Sequence, residues 1–223
     1  MLGYQSEETK KEGRYYLRFH QTIKRAMNFN RELYGDKTGK DGKEYKWEHP
    51  IRVAGMTEEI AEQGLLEYHL NWLVGVLHDA KEDDPLLFDE KIGEVLKDLL
   101  EEEKDLVLKY IDQLSKDRTL PKGLQKKEHV ERMDKLDLVP TYIKIFDKYD
   151  NCRRFLKNPV GKTNDELNGY YSVALLCYDI GVKTHKEIKE NLNPRIVKFF
   201  DELRTRVGGT AKMQQWAEKY YGI

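Results

Sequence analysis

The chain lacks most of the features that mark specialised protein classes. Two cysteines, Cys152 and Cys177, in 223 residues cannot build a disulfide framework, and no CxxC pair is present. There is no glycine-rich phosphate loop. No apolar run approaches the ~20 residues that a membrane-spanning helix needs. Charge of one sign is not in excess: 39 Lys and Arg face 40 Asp and Glu, a net charge of -1. Such a balance gives no global field for nucleic acid or an anionic membrane, so any polyanionic ligand must be held by a local basic patch. The opening residues, Met-Leu-Gly-Tyr-Gln-Ser, carry no apolar core of a signal peptide. These absences lead to the expectation of a soluble, unprocessed cytoplasmic protein with reduced thiols and neither a membrane nor a specific nucleic-acid partner.

What is present is aromatic and periodic. Fourteen Tyr, seven Phe and three Trp can fill a core despite the charged composition. Leu106, Val107, Tyr110, Ile111 and Leu114 recur at helical spacing, as do Tyr142, Ile145, Phe146, Tyr149 and Cys152, and then Ile196, Phe199, Phe200 and Leu203. No period-2 strand and no convincing hairpin stand out. Breaks fall at Gly35–Gly42, Asp83-Asp84-Pro85, Thr119–Gly123, Val139-Pro140, Asn158–Gly161 and Asn193-Pro194. Asn193 suits a helix cap with Pro194 in the first turn, and Gly208-Gly209 suits the end of that helix. The fold class expected is all-α: one helical-bundle domain over residues 1–190 and a helical C-terminal extension over 191–223. Trp216, Tyr220 and Tyr221 in that extension either cap the core or contact a second subunit in a homo-oligomer.

The chemistry gathers where the apolar run Trp72–Leu77 ends in His78-Asp79. Glu82 and Asp83 follow about one helical turn later. Upstream stands His49-Pro50 and downstream Asp147-Lys-Tyr-Asp-Asn151. Two His and two Asp make a mixed nitrogen and oxygen set, suited to Mn²⁺, Fe²⁺ or Mg²⁺ more than to a closed structural zinc site. Adjacent residues on a regular helix point about 100° apart. His78 and Asp79 can therefore share one ion only where the helix ends or bends. Asp147, Asn151 and Arg154 fall at i, i+4 and i+7, on one helix face.

The pattern His49, His78-Asp79, Asp147 resembles that of the HD-domain metal-dependent phosphohydrolases. Within that superfamily, His78-Asp-Ala-Lys-Glu-Asp83 is similar to the HD-x-x-ED signature of RelA/SpoT-type (p)ppGpp hydrolase domains. The run Leu114–Lys122 is similar to the segment that follows the central helices in the small SpoT homologues, and Ile143–Asn151 to their K-L-A-D-x-x-x-N helix. Asp41-Gly42, Tyr45 and His49-Pro50 resemble their D-G-x-P-Y-x-x-H-P approach, with one residue more. The resemblance covers roughly residues 15–180.

It implies an HD-type helical bundle with one Mn²⁺, or another divalent metal, held by His49, His78, Asp79 and Asp147. Glu82 and Asp83 would handle the attacking water and its protons, and Asp84 is a turn residue. Asn151 would contact a nucleotide, with Arg154, Lys116, Arg118 and Lys122 as candidate phosphate contacts. Arg31, Lys37, Lys40, Lys43 and Arg153 are weaker candidates for the same task. The implied activity is metal-dependent hydrolysis of the 3′-diphosphate of guanosine 3′,5′-bis(diphosphate), ppGpp, or of its triphosphate relative. The stretched loop Arg31–Tyr45, and an Arg at 154 where a small hydroxyl residue is usual, keep a second reading open: an HD phosphohydrolase for NADPH, a dNTP or a signalling nucleotide. A non-enzymatic module with the metal as a staple is the third. His129, on a lysine-rich segment, is expected to lie on a helix surface, as is His185. His20 and His69 are expected to be structural.

Overall fold

A computed structural model describes residues 7–39, 43–60, 65–117, 119–159 and 161–223. The described residues are helical throughout, as α1 (Glu7–Tyr34), α2 (Glu48–Gly55), α3 (Leu65–Leu77), α4 (Ala80–Asp83), α5 (Pro85–Val95) and α6 (Glu101–Leu114), followed by α7 (Lys122–Glu131), α8 (Leu138–Lys157), α9 (Asn164–Thr184), α10 (Lys186–Asn191), α11 (Pro194–Arg206) and α12 (Thr210–Tyr221). Short 3₁₀ turns at Met56–Glu59 and Met133–Lys135 join α2 to α3 and α7 to α8. The expected all-α class is what the structure has. One isolated antiparallel bridge, Thr38 to Tyr45, is the exception to helix. Gly39 N–H donates to Glu44 O at 2.7 Å and Lys46 N–H to Lys37 O at 2.8 Å, so the loop ahead of α2 closes as a short ladder. That pairing has no signal in the residue types, because Lys, Gly and Asp there have low strand propensity.

The helices that carry the chemistry are the central ones. On α3, Leu73, Val74, Val76 and Leu77 have no exposed surface, as expected of a helix apolar on all sides. Asn30 on α1 anchors it by donating to Val76 O at 2.7 Å. Gly75 brings α2 close: a Cβ there would stand 2.7 Å from Ala54 Cα. Only glycine permits this approach, and it sets His49 on α2 beside His78. Helix α8 is buried along most of its length, including Lys144, Asp147, Lys148 and Asp150. A helix with that many buried charges is specified by pairing more than by apolar periodicity.

The cap signals are in place. Asn193 accepts from Arg195 N–H at 2.9 Å with Pro194 in the first turn of α11. Gly208 and Gly209, with φ of 92° and 87°, turn the chain into α12. Asp84 caps α5 by accepting from Leu87 N–H at 3.1 Å, just before Pro85. The C-terminal helices share the main core, through Ile196, Phe200, Leu203, Val207 and Met213. Helix α12 lies against α9, where a Cβ on Gly169 would meet the Tyr220 ring at 2.9 Å. No helix among the described residues is long and apolar enough to cross a membrane.

Candidate functional site

The four residues singled out as metal ligands come together. One potential ligand atom from each of His49, His78, Asp79 and Asp147 lies within 4.8 Å of all the others. Three local features produce this. Helix α3 ends at Leu77, and His78-Asp79 form a turn before α4. The break removes the 100° divergence that a continuous helix would impose. His49 sits in the first turn of α2, followed by Pro50, which a first turn tolerates. Asp147 projects from the middle of α8. His49 Nε2 lies 3.2 Å from Asp147 Oδ1 and 3.9 Å from Asp79 Oδ2, and His78 Nε2 lies 3.2 Å from Asp79 Oδ2.

The histidine tautomers are fixed from behind. His78 Nδ1 lies 2.7 Å from Gly75 O, so its proton goes to that carbonyl. Its Nε2 is buried and makes no hydrogen bond. An orphaned buried nitrogen of this kind fits a metal better than it fits an empty fold. His49 Nδ1 donates to Asp150 Oδ2 at 2.8 Å. Asp150 is fully buried and is gripped by Arg52 through two 3.0 Å hydrogen bonds, with Arg153 at 3.2 Å. Burial alone would raise the Asp150 pKa. The hydrogen bonds from His49 and Arg52 outweigh it and hold the carboxyl below its ordinary range. Asp150 escaped the sequence reading because a second carboxylate three residues after Asp147 resembles a solvated charge. Arg153, weighed there as a phosphate contact, is turned instead to Asp150.

Asp147 is buried, which favours the neutral acid, but the Lys148 and Lys144 ammoniums keep it well below the usual carboxylate range. Lys148 Nζ lies 3.1 Å and Lys144 Nζ 3.6 Å from Asp147 Oδ2, leaving Oδ1 on the His49 side. Asn151 Nδ2 donates to Asp147 O at 3.0 Å and also to Asp147 Oδ1. Asn151 thus steadies this carboxylate, in addition to facing the cavity.

The cluster opens into a cavity of about 460 Å³, within the range of small-molecule sites. Asp79, one quarter exposed, is part of its lining. Both members of the Glu-Asp pair line it, each beside a lysine: Glu82 accepts from Lys116 at 2.7 and 3.0 Å, and Asp83 accepts from Lys46 at 2.6 Å. Lys37, Arg154 and Asn151 line the same cavity. Arg154 Nε lies 3.5 Å from Glu44 Oε2, and its guanidinium packs on Gly39, where a Cβ would come within 2.6 Å. Arg31 stacks 5.0 Å from the Trp47 ring. Arg118, Lys40 and the Lys122 side chain lie outside the described residues.

His129 differs from its expectation. It is 2% exposed and lines the cavity, because α7 lies across α9 and under α12 instead of facing solvent. His185 is half-buried and pairs with Leu136 O at 2.9 Å. His69 stacks on Phe19, and His20 is exposed.

No family model matches the chain, and no curated protein matches it in sequence. Among solved structures, the chain is similar to one described as a metazoan ortholog of SpoT that hydrolyzes ppGpp and plays a role in starvation responses. The two superpose with a TM-score of 0.65 over 84% of this chain and 96% of the other, at 20% identity. The chain has the fold of that hydrolase. At 20% identity the likeness establishes the architecture, and the chemistry must be argued from the side chains.

Proposed function

We propose that this chain is a divalent-metal-dependent phosphohydrolase whose substrate is a guanosine nucleotide with a 3′-diphosphate, ppGpp or pppGpp. The observation that carries the reading is the convergence of His49, His78, Asp79 and Asp147, three of which line a cavity shared with Lys37, Lys46, Lys116 and Lys148. His49, His78, Asp79 and Asp147 would hold the ion, and their mixed donor set suits Mn²⁺, with Fe²⁺ or Mg²⁺ as alternatives. When bound, the metal supplies a water of lowered pKa and charge neutralisation for the phosphoryl oxygens.

The remaining work belongs to the chain. Asp150 and the Gly75 carbonyl orient the two imidazoles. Glu82 and Asp83, paired with Lys116 and Lys46, receive the proton of the attacking water and return one to the departing sugar oxygen. Water oxygen bonds to the inner phosphorus and the bond to O3′ breaks, releasing pyrophosphate and GDP, or GTP from the triphosphate. Lys116, Lys148 and Arg154 line the cavity and would meet the phosphates there. The test is purified protein with ppGpp and Mn²⁺, read by chromatography for GDP and pyrophosphate. Chelation should stop the reaction, and an Asp79→Ala variant that keeps full activity rejects the reading.

A second reading, in which another nucleotide is cleaved by the same centre, is favoured by Arg154 packed on Gly39 and beside Glu44 in the cavity lining. A panel with NADPH and dNTPs decides between them: turnover of one of these with ppGpp left intact selects it.

A further inference from the structure

His129 is a buried imidazole that neither the metal centre nor the proton-handling pair uses. Its exposure is 2%, it lines the cavity, and neither ring nitrogen has a hydrogen-bond partner. Two unpaired ring nitrogens at such depth cost desolvation free energy that the fold alone does not recover. The surroundings say what would complete them. Burial first, and then the charges of Lys144, Lys148, Lys116 and Arg132, hold the His129 pKa well below the ordinary value. The ring is therefore neutral, with one N–H donor and one acceptor nitrogen. Four surrounding cations make this a poor place for a second metal and a good one for an anion.

Part of this positive charge is paired, with Arg132 Nε 3.0 Å from Glu128 Oε1. Lys144 and Lys148 share a single oxygen, Asp147 Oδ2, while the other Asp147 oxygen faces the metal centre. Lys116 is paired with Glu82 of the proton-handling pair. Lys126 also lines this end, and its ammonium is seated 3.9 Å from the Tyr221 ring, so the C-terminal helix helps to place it. Lysine ammoniums and an imidazole N–H are donors that suit the oxygens of a tetrahedral oxyanion.

We propose that His129, Lys126 and Lys148 form an oxyanion subsite for the outer phosphate of a diphosphate ester, so that the enzyme selects diphosphate over monophosphate esters. This rests on the phosphohydrolase reading for its position in the reaction, but not for its ability to bind an anion. The inner phosphate lies at the metal centre. The outer one stays joined to it through the reaction and departs as part of pyrophosphate.

The test separates the two ideas. Inorganic phosphate is titrated calorimetrically into the metal-free 223-residue chain, whose folding is checked by circular dichroism. Wild type should bind phosphate. His129→Leu should weaken binding about tenfold or more, the loss of one hydrogen bond to a charged oxygen. His129→Gln, which keeps a donor, should retain most of it. If His129→Leu does not fold, Lys126→Met carries the same expectation from the rim. Metal-loaded wild type should also prefer guanosine 5′-diphosphate 3′-diphosphate to the corresponding 3′-monophosphate, and His129→Leu should narrow that preference. Phosphate affinity unchanged in folded His129→Leu or Lys126→Met, no phosphate binding to wild type, or equal turnover of the two esters overturns the subsite. Phosphate binding that falls as expected alongside absent ppGpp hydrolysis leaves the subsite standing and overturns only the substrate reading.

Discussion

The most informative single substitution is Asp150→Asn. Asp150 Oδ2 takes the His49 Nδ1 proton at 2.8 Å while Arg52 grips both carboxylate oxygens at 3.0 Å. Asparagine keeps the shape but replaces one acceptor oxygen with an NH₂ group. That group must oppose either an Arg52 N–H or the His49 Nδ1 proton. In the second case the His49 proton moves to Nε2, the nitrogen that faces the other three candidate ligands. Loss of a carboxylate partner behind a ligand histidine weakens metal binding by about 10–100-fold, or about 1.4–2.7 kcal/mol. Asp150→Ala would be a poorer probe, because removing one partner of a buried charged network costs about 3–5 kcal/mol of stability and confuses folding with binding. The assay is Mn²⁺ titration of the metal-free chain against a fluorescent chelator, with thermal melting as the folding control. An Asp150→Asn protein that melts as a folded domain and binds Mn²⁺ as tightly as wild type refutes the argument that Asp150 positions His49.

Further outcomes follow from the same geometry. Gly75→Ala should cost about 1–3 kcal/mol by driving α2 from α3 at Ala54; if it folds, its ppGpp turnover should fall by on the order of 10², because His49 is carried away from His78. Unchanged activity and melting temperature in Gly75→Ala would show that the close approach is dispensable. Glu82→Gln and Asp83→Asn should each lower turnover by about 10²–10⁴-fold with metal affinity nearly unchanged, checked by kinetics and chelator competition in parallel. The folded-state pKa of Asp150 is depressed, so its contribution to stability is present above its unfolded value of about 4 and is lost as pH falls through the folded value. The stability deficit of Asp150→Asn relative to wild type, measured by urea unfolding, should therefore be largest near neutrality and shrink below about pH 4.

What could be read in advance follows a physical line. His49, His78-Asp79 and Asp147 were legible because their residue types and order carry metal chemistry whatever the packing. That His78 and Asp79 share one side required a helix break, which the sequence signalled only through Asp83-Asp84-Pro85 several residues later. The break comes earlier, at Leu77. Arg52 and Asp150 were not legible, because their partnership joins α2 to α8 across 98 residues. His129 was misread because Lys126-Lys127-Glu128 has the composition of a solvated face. Its burial comes from α9 and α12 packing over α7, a tertiary effect that no local window contains. The ladder ahead of α2 was hidden for a different, local reason: Lys37, Gly39, Glu44 and Lys46 pair through backbone atoms, in a stretch of low strand propensity.

Central to this account is one ion held by four side chains from three stretches of the chain: α2, the turn after α3, and α8. Diffraction from a crystal soaked in Mn²⁺, collected at the manganese absorption edge, tests it most directly. A single anomalous peak bounded by His49 Nε2, His78 Nε2, Asp79 and Asp147 is the expected result. A peak elsewhere, or none at a concentration that supports catalysis, would contradict it.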